Sequence, residues 1–425
     1  MEFVGIGLLI VLALLGVPIY LTILIGATVI IVFALGIDPM VMTTLMFGKI
    51  SSFVLVAVPM FLLSGQLIAR GGLARPLANI LTAFFGNLPG GPAYAIVLAC
   101  IIFAAISSSN MAAVASFAPF AIPLLVSLGY SKSFAIGLVI ASGSLGDIIP
   151  PSISLILYGY ITETSVLTLW TAAIIPGLVQ AALIMITVWI HGKRGHYQKL
   201  PPVSWSERWK ALKVGWPVLL MPVAILGPLY GGIATPSEVA CLAVIYSLIL
   251  GVFVYKGLKL RDLWNSCSWT VGILAALFAL IIGAFLLNTA LVYVRVPFAL
   301  ADGLANLGVN WVGFMAIMFF AYLIMGAFLD ASSILLISVP ILLPSILAQG
   351  VDPILYGIFT VNCTEIAFIT PPYGMLLFAT ATIIKEDFMF VAKSVLLFYP
   401  ALIIHPILIA FIPQMTLWLP NILGR

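Results

Sequence analysis

The chain has 425 residues, 64% of them hydrophobic and only 7% charged, with a formal net charge of +4 and a mean hydropathy of +1.28. A soluble domain is about a quarter charged, so this composition excludes a soluble globular protein and describes an integral membrane protein with many spans. The basic excess lies in loops and forms no nucleic-acid patch.

Apolar stretches of bilayer length follow one another along the chain. The first, 3–36, is too long for one helix and contains Gly16 and Pro18, which predicts two spans; it has no basic n-region and no small-residue cleavage site, so it reads as retained. A span follows at 52–69, then a connector, 70–89, with Arg70, Arg75, Asn87 and Pro89. Residues 90–129 are apolar but interrupted by Ser107, Ser108, Ser109 and Asn110. The span 133–160 is broken at Pro150 and Pro151, and another runs 166–190. The strongly polar linker 191–213 carries Trp205 and Trp209, with Trp216 just beyond, and suits an interfacial helix. Spans are then predicted at 214–231 and 237–255, a basic connector at 256–263, and a span at 268–291. An interrupted apolar segment, 311–349, holds Asp330, Ser332 and Ser333; a broken span, 353–384, and a last span, 388–416, complete the order.

The second half replays the first. Pro119, Pro123, Gly129, Pro150 and Pro151 recur as Pro340, Pro344, Gly350, Pro371 and Pro372, each 221 positions later. Proline removes a backbone donor and clashes with the preceding turn, and in lipid such a break survives only where the freed groups face protein or a water-filled cavity. Matched breaks in two halves point to the binding site of a transporter. If 90–129 and 311–349 are re-entrant hairpins, each half crosses the membrane an odd number of times and the repeats, 1–213 and 214–425, are inverted. With the 191–213 linker in the cytoplasm and the N-terminus outside, all of the 17 basic residues except Lys49, Arg295 and Arg425 fall on the cytoplasmic side.

The breaks also suggest chemistry. A hairpin tip and an unwound helix centre expose carbonyls and hydroxyls suited to a hard cation such as Na⁺, while half-helix N-termini suit an anionic substrate. The first half offers SSSN (107–110) against SGSLGDIIPPS (142–152), and the second DASS (330–333) against NCTEIAFITPPYG (362–374). Membrane serines often only bond the carbonyl one turn back. Asp330 and Glu365 are ionisable groups inside predicted spans, functional by default in lipid, although Glu365 reads equally as a structural partner for the break. Asp147 is either a site member or the partner of a nearby basic group. Glu238, in ATPSEVA, reads as part of a helix cap, and Arg70, Arg75 and Arg295 as snorkelling clamps at the hairpin bases.

Other classes find little support. Cys100, Cys241, Cys267 and Cys363 are scattered without metal or redox spacing, and His191, His196 and His405 do not cluster with them. A serine hydrolase using Ser107–Ser109 lacks a base, and the chain is not expected to be an enzyme. No Walker A motif appears, which leaves ion coupling as the power source, with about 2.3 kcal/mol for each charge crossing 100 mV. A passive channel would also permit paired breaks, but would not accumulate its substrate.

The motifs SGSLGDIIPPSISLILYG (142–159), GIATPSEVA (232–240), FLDASSILLISVPILLP (328–344) and EIAFITPPYGMLLF (365–378) resemble the large membrane (M) subunit of tripartite ATP-independent periplasmic (TRAP) transporters, over essentially the whole chain. The resemblance implies an all-α, inverted-repeat, elevator-type transporter of the bacterial inner membrane with two re-entrant hairpins and two broken helices. It implies a periplasmic N-terminus, a sodium gradient as driving force, and two partners: a small four-span membrane (Q) subunit and a periplasmic substrate-binding protein. By the same resemblance, Na⁺ is expected at Ser107, Asn110, Gly143, Gly146, Asp147 and Pro150, and at Ala331, Ser332, Ser333, Thr364, Glu365, Thr370 and Pro371. Substrate is expected near Ser108, Ser109, Ser152, Ser154 and Asp330. Many members have Gly-Ser at the first tip and an apolar residue at 147, so the polar residues here suggest a polyhydroxylated acid such as sialic acid. A C4-dicarboxylate, a sugar acid, or a stand-alone sodium/dicarboxylate symporter are the alternatives.

Overall fold

The computed structural model describes residues 2–194, 200–372 and 374–424, and every regular element among them is a helix. His196, Lys199, Tyr373 and Arg425 lie outside the described residues. Among the described residues, seven helices are long and apolar enough to cross a membrane, or eight if the pair Phe388–Val395 and Tyr399–Phe411, bent by 53°, is counted as one span.

Several helices start and stop at proline and glycine as expected, but Pro119, Pro123, Pro340 and Pro344, read as matched breaks, lie inside the hairpin arms Asn110–Ser127 and Ala331–Ala348 without ending them. Residues 3–36 divide at Gly16 and Pro18 into Glu2–Leu14 and Ile19–Val29. The first interrupted segment is a hairpin of Gly91–Ser107 and Asn110–Ser127, and the second a hairpin of Trp311–Gly326 and Ala331–Ala348. The broken spans are Lys132–Gly143 with Ile153–Thr162, and Pro353–Phe368 with Met375–Ile384. The bonds Pro150–Pro151 and Pro371–Pro372 are both cis.

Several elements differ from expectation: the predicted connectors contain helices Ala74–Phe85 and Val296–Asn306, and the last span, 388–416, is the bent pair above followed by Gln414–Ile422. Helix Pro39–Ile50 was not predicted; Asp38 caps it by accepting from Met40 N at 2.7 Å, with Pro39 in its first turn. Trp205, Trp209 and Trp216 do not sit on a separate interfacial helix. They open Trp205–Tyr230, which starts at a capping box of Ser204 and Glu207 and runs on into the span past Pro217, Pro222 and Pro228. Leu260–Tyr293 likewise runs straight through the predicted connector and span. Glu238 does cap its helix, its carboxylate accepting from Thr235 N at 2.7 Å.

The 221-residue offset extends to the helix boundaries: Asn110–Ser127 maps onto Ala331–Ala348, and the π-turn Ile30–Ala34 falls close to its counterpart Ile249–Val254. Packing is reciprocal as well. Ile19–Val29 lies along Leu260–Tyr293, and its counterpart Pro236–Leu248 lies along Ala57–Arg70. Asn110–Ser127 packs on Met375–Ile384, and Ala331–Ala348 on Ile153–Thr162. Each half thus packs its equivalent helices on equivalent partners, in line with the 221-residue repeat.

The broken helices form the centre of the protein. Every residue from Phe134 to Gly146 and from Leu355 to Ala367 is buried. Helices enclosed on all sides are interior elements rather than lipid-facing ones; the first break is surrounded by protein, with Ile148 to Ser152 buried, as freed backbone groups require, whereas the second is more open, with Thr370 and Pro371 half-buried and Pro372 exposed.

Candidate functional site

The first hairpin tip is set by backbone geometry. Gly91–Ser107 ends at Ser108, which adopts left-handed φ +50°, and Ser109 begins the next arm by accepting from Ala112 N at 3.2 Å. Ser107, Ser108 and Asn110 are almost fully buried. The Ser107 carbonyl lies against helix Ala57–Arg70: a Cβ at Gly65 would fall 2.6 Å from it. Across from the tip, Lys132–Gly143 gives way to the tight turn Ser144–Asp147. Gly146 allows that turn to meet the tip, since a Cβ there would fall 2.9 Å from Asn110 Oδ1 and 3.0 Å from Asn110 N. Gly143 meets Val114 in the same way, at 2.6 Å from its Cγ2.

These contacts join predicted site residues. Asn110 Nδ2 donates to Asp147 Oδ2 at 3.2 Å, and the Ser154 hydroxyl also faces Asp147. Ser152 caps Ile153–Thr162 by accepting from Leu155 N at 3.2 Å, and its carbonyl accepts from Trp170 Nε1 at 3.1 Å. Pro150 and Pro151 are buried in the break. No hydrogen bond reaches Ser107 Oγ, Ser108 Oγ, Ser142 Oγ or Asn110 Oδ1 among the described residues.

The second tip is arranged differently. Asp330 caps Ala331–Ala348, its carboxylate accepting from Ser332 N at 3.1 Å, Ser333 N at 3.3 Å and the Ser333 hydroxyl. Ala331 and Ser332 are half-buried. The hairpin meets its broken helix at Gly326, where a Cβ would overlap that of Ala367 at 2.0 Å. Thr364 and Thr370 donate to carbonyls of their own helix, Val361 at 2.8 Å and Ile366 at 2.7 Å. The Tyr399 hydroxyl donates to the Ile369 carbonyl at 2.9 Å, steadying the chain just before Pro371.

Glu365 has partners that its local sequence does not announce. Gln180 Nε2, from helix Val166–Arg194, donates to Glu365 Oε1 at 2.8 Å, and Asn362 Nδ2 donates to Gln180 Oε1 at 3.2 Å. Glu365 is thus held by side chains of its own helix and of Val166–Arg194, and among the described residues no hydrogen bond joins it to a backbone group of the break. Gln180 was missed because a single amide in an apolar helix gives no pairing signal. Neither Asp147 nor Glu365 meets a basic side chain; the ion pair among the described residues joins Lys132 to Glu386. Of the predicted clamps, Arg75 sits 6.0 Å over the ring of Phe120, at the base of the first hairpin.

Matched hairpins and broken helices within a buried core define a multi-span membrane protein of transporter architecture. The same fold occurs in the YdaH transporter of Alcanivorax borkumensis, with a TM-score of 0.59, 17% sequence identity and 87% of each chain covered. The chain belongs to the tripartite ATP-independent periplasmic transporter family, DctM component, whose family model matches residues 6–415. It is similar to the C4-dicarboxylate TRAP transporter large permease protein DctM of Rhodobacter capsulatus, 33% identical over 98% of both chains. It is also similar to the sialic acid TRAP transporter large permease protein SiaM of Vibrio cholerae, 31% identical over 89% of this chain and 88% of that one. Large subunits of this family are transporter permeases that work with a small membrane subunit and a periplasmic binding protein.

Proposed function

We propose that this chain is the transport subunit of a sodium-driven, binding-protein-dependent importer of an organic acid in a bacterial inner membrane. Residues 1–213 and 214–425 act as inverted repeats, with the N-terminus periplasmic. The hairpins and broken helices form the moving body of an elevator, carried against the remaining helices. The observation that carries this reading is the matched set of helix ends. In each half, one arm of the hairpin and one half of the broken helix end at the tip and break, and their partner halves begin there. Helix C-termini favour a cation and N-termini an anion, so each half supplies both kinds of site.

Na⁺ would sit between each tip and its break, near Ser107, Asn110, Gly143, Gly146, Asp147 and Pro150, and near Ala331, Ser332, Ser333, Thr364, Thr370 and Pro371. The helix N-termini at Ser109, Ser152 and Asp330, with Ser108 and Ser154, would face the substrate carboxylate. A C4-dicarboxylate is preferred over sialic acid as that substrate. Asn110 donates to Asp147 and Ser109 caps its own helix, so the added polar capacity of the first tip is partly used within the protein.

The test is uptake of labelled succinate and labelled sialic acid into proteoliposomes holding this chain, its small subunit and an inward Na⁺ gradient, with and without the binding protein. Succinate accumulation requiring all components supports the reading. Sialic acid accumulation instead overturns the substrate choice alone, and accumulation without the binding protein moves the chain to the stand-alone symporters.

A further inference from the structure

Helix Leu260–Tyr293 has a counterpart in the first half that is not a single helix. At the same 221-residue offset the chain is divided at Ser51 and Ser52 into Pro39–Ile50 and Ala57–Arg70, with the tight turn Phe53–Val56 between them. A helix that stops leaves its last carbonyls without partners in the next turn. Donors from elsewhere in the chain meet this break. The Ser237 hydroxyl, at the start of Pro236–Leu248, donates to the Phe53 carbonyl at 2.8 Å, and the Tyr160 hydroxyl donates to the Lys49 carbonyl. Tyr160 lies in the last turn of Ile153–Thr162, the second half of the first broken helix.

Lys49 enters this contact twice, because its ammonium also lies 4.7 Å over the ring of Phe285. That ring meets Tyr160 edge on, with centroids 5.7 Å apart and planes at 68°. Lys49 and Phe285 sit on Pro39–Ile50 and Leu260–Tyr293, outside the hairpins and broken helices, whereas Tyr160 belongs to a broken helix. Lys49 is exposed and both rings are half-buried, so the contact can open without unpacking the core. The second half has no such arrangement among the described residues. Tyr160, Lys49 and Phe285 correspond to Ala381, Thr270 and Ser64. Ala381 carries no hydroxyl, the Thr270 carbonyl falls inside an unbroken helix that uses it, and the Ser64 hydroxyl donates to the Phe61 carbonyl of its own helix at 3.0 Å.

Inverted repeats with identical side chains would give a moving body two end positions of equal energy, since each position is the other turned over. Residues that differ between the halves are what favours one end. We infer that Tyr160, Lys49 and Phe285 form a one-sided latch, which holds the first broken helix against the frame at one end of its travel, on the Lys49 face of the membrane. The inference rests on the elevator reading above and goes beyond it by naming what sets the resting position. To leave that position the broken helix has to give up the Lys49 carbonyl and slide off the Phe285 ring, so losing either contact shifts the population toward the other end.

The experiment is double electron–electron resonance on the purified complex with the small subunit. Spin labels are placed at Met40→Cys, on the exposed frame helix, and at Ala348→Cys, at the exposed end of the second hairpin arm, with Cys241 and Cys267 changed to Ser. Distances are recorded with and without Na⁺, substrate and binding protein. The latch predicts two distances, one of them that of this structure. Tyr160→Phe keeps the ring and removes only the hydroxyl, and should shift the ratio away from the distance of this structure by about fivefold. Lys49→Met keeps the stem and removes the charge, and should shift it the same way by about two- to fivefold. A ratio that either variant leaves unchanged, or moves the other way, overturns the latch while the elevator reading stands. A single distance under every condition overturns the elevator reading, and the latch with it.

Discussion

Gly146→Ala perturbs the junction of the first tip and its turn without touching the polar side chains. Gly146 does not occupy the left-handed region, so alanine adopts its backbone without strain, and the whole effect comes from the added methyl. That methyl would lie 2.9 Å from Asn110 Oδ1 and 3.0 Å from both Asn110 N and Ser109 C. Two of the three atoms are backbone, so the tip itself has to shift. Overpacking of this kind costs about 1–3 kcal/mol, offset by about 0.5 kcal/mol from the stiffer unfolded chain. A net loss of roughly 0.5–2.5 kcal/mol corresponds to about 2- to 70-fold in an equilibrium constant, at 1.36 kcal/mol per tenfold. The expected outcome is a rise of that size in the Na⁺ concentration giving half-maximal uptake, with a lowered melting temperature. The control is Gly272→Ala, at a helical glycine with nothing within 4 Å of its would-be Cβ, which should gain about 0.5–1 kcal/mol from helix propensity. A Gly146→Ala protein with wild-type melting and a wild-type Na⁺ response would refute the close docking of tip and turn.

Asp330→Ala removes the cap of the second hairpin arm and should cost about 1 kcal/mol. Asp330→Asn keeps a capping oxygen and should melt like the wild type, yet transport more slowly; the two properties are read from parallel melts and uptake assays. Tyr322 and Tyr356 share a buried hydroxyl contact at 2.8 Å. Each single change to Phe removes one partner of the other hydroxyl, which keeps polar side chains beside it (Ser338 and Thr360 for Tyr322, Thr360 for Tyr356), and should cost about 1 kcal/mol. The double change should cost less than the sum, as measured by denaturant or thermal melts. Lys132→Ala breaks an ion pair whose side chains are 47% and 27% exposed. It should change stability by less than about 1 kcal/mol, and the difference should vanish in melts at high salt.

The hairpins and breaks were legible in the sequence because their devices are local. Proline and glycine mark the turns, and Ser109, Ser152 and Asp330 occupy cap positions immediately before helices. Helix starts outside the apolar runs were less visible. Asp38-Pro39 and Ser204-x-x-Glu207 carry capping signals, but reading hydropathy first placed the spans elsewhere. The Gln180–Glu365 bond could not be read at all, since it joins residues 185 positions apart and neither local pattern depends on the other. Asp147 had two readings, and the missing basic partner among the described residues removes one of them.

The backbone repeats closely, but the side chains at its two equivalent sites do not. At the second tip Asp330 is occupied by its own helix start, with three donors from Ser332 and Ser333. At the first tip the cap is the neutral Ser109, which leaves Asn110 free to reach across to Asp147. Glu365 belongs to the second half, yet the turn of the first half packs against its helix. The two acidic side chains of the core therefore lie on elements of different halves that pack together, and among the described residues neither has a basic partner. The repeat supplies two breaks on matching backbones, and the side chains give each tip its own polar partners: Asn110 with Asp147 in the first half, Asp330 with Ser332 and Ser333 in the second.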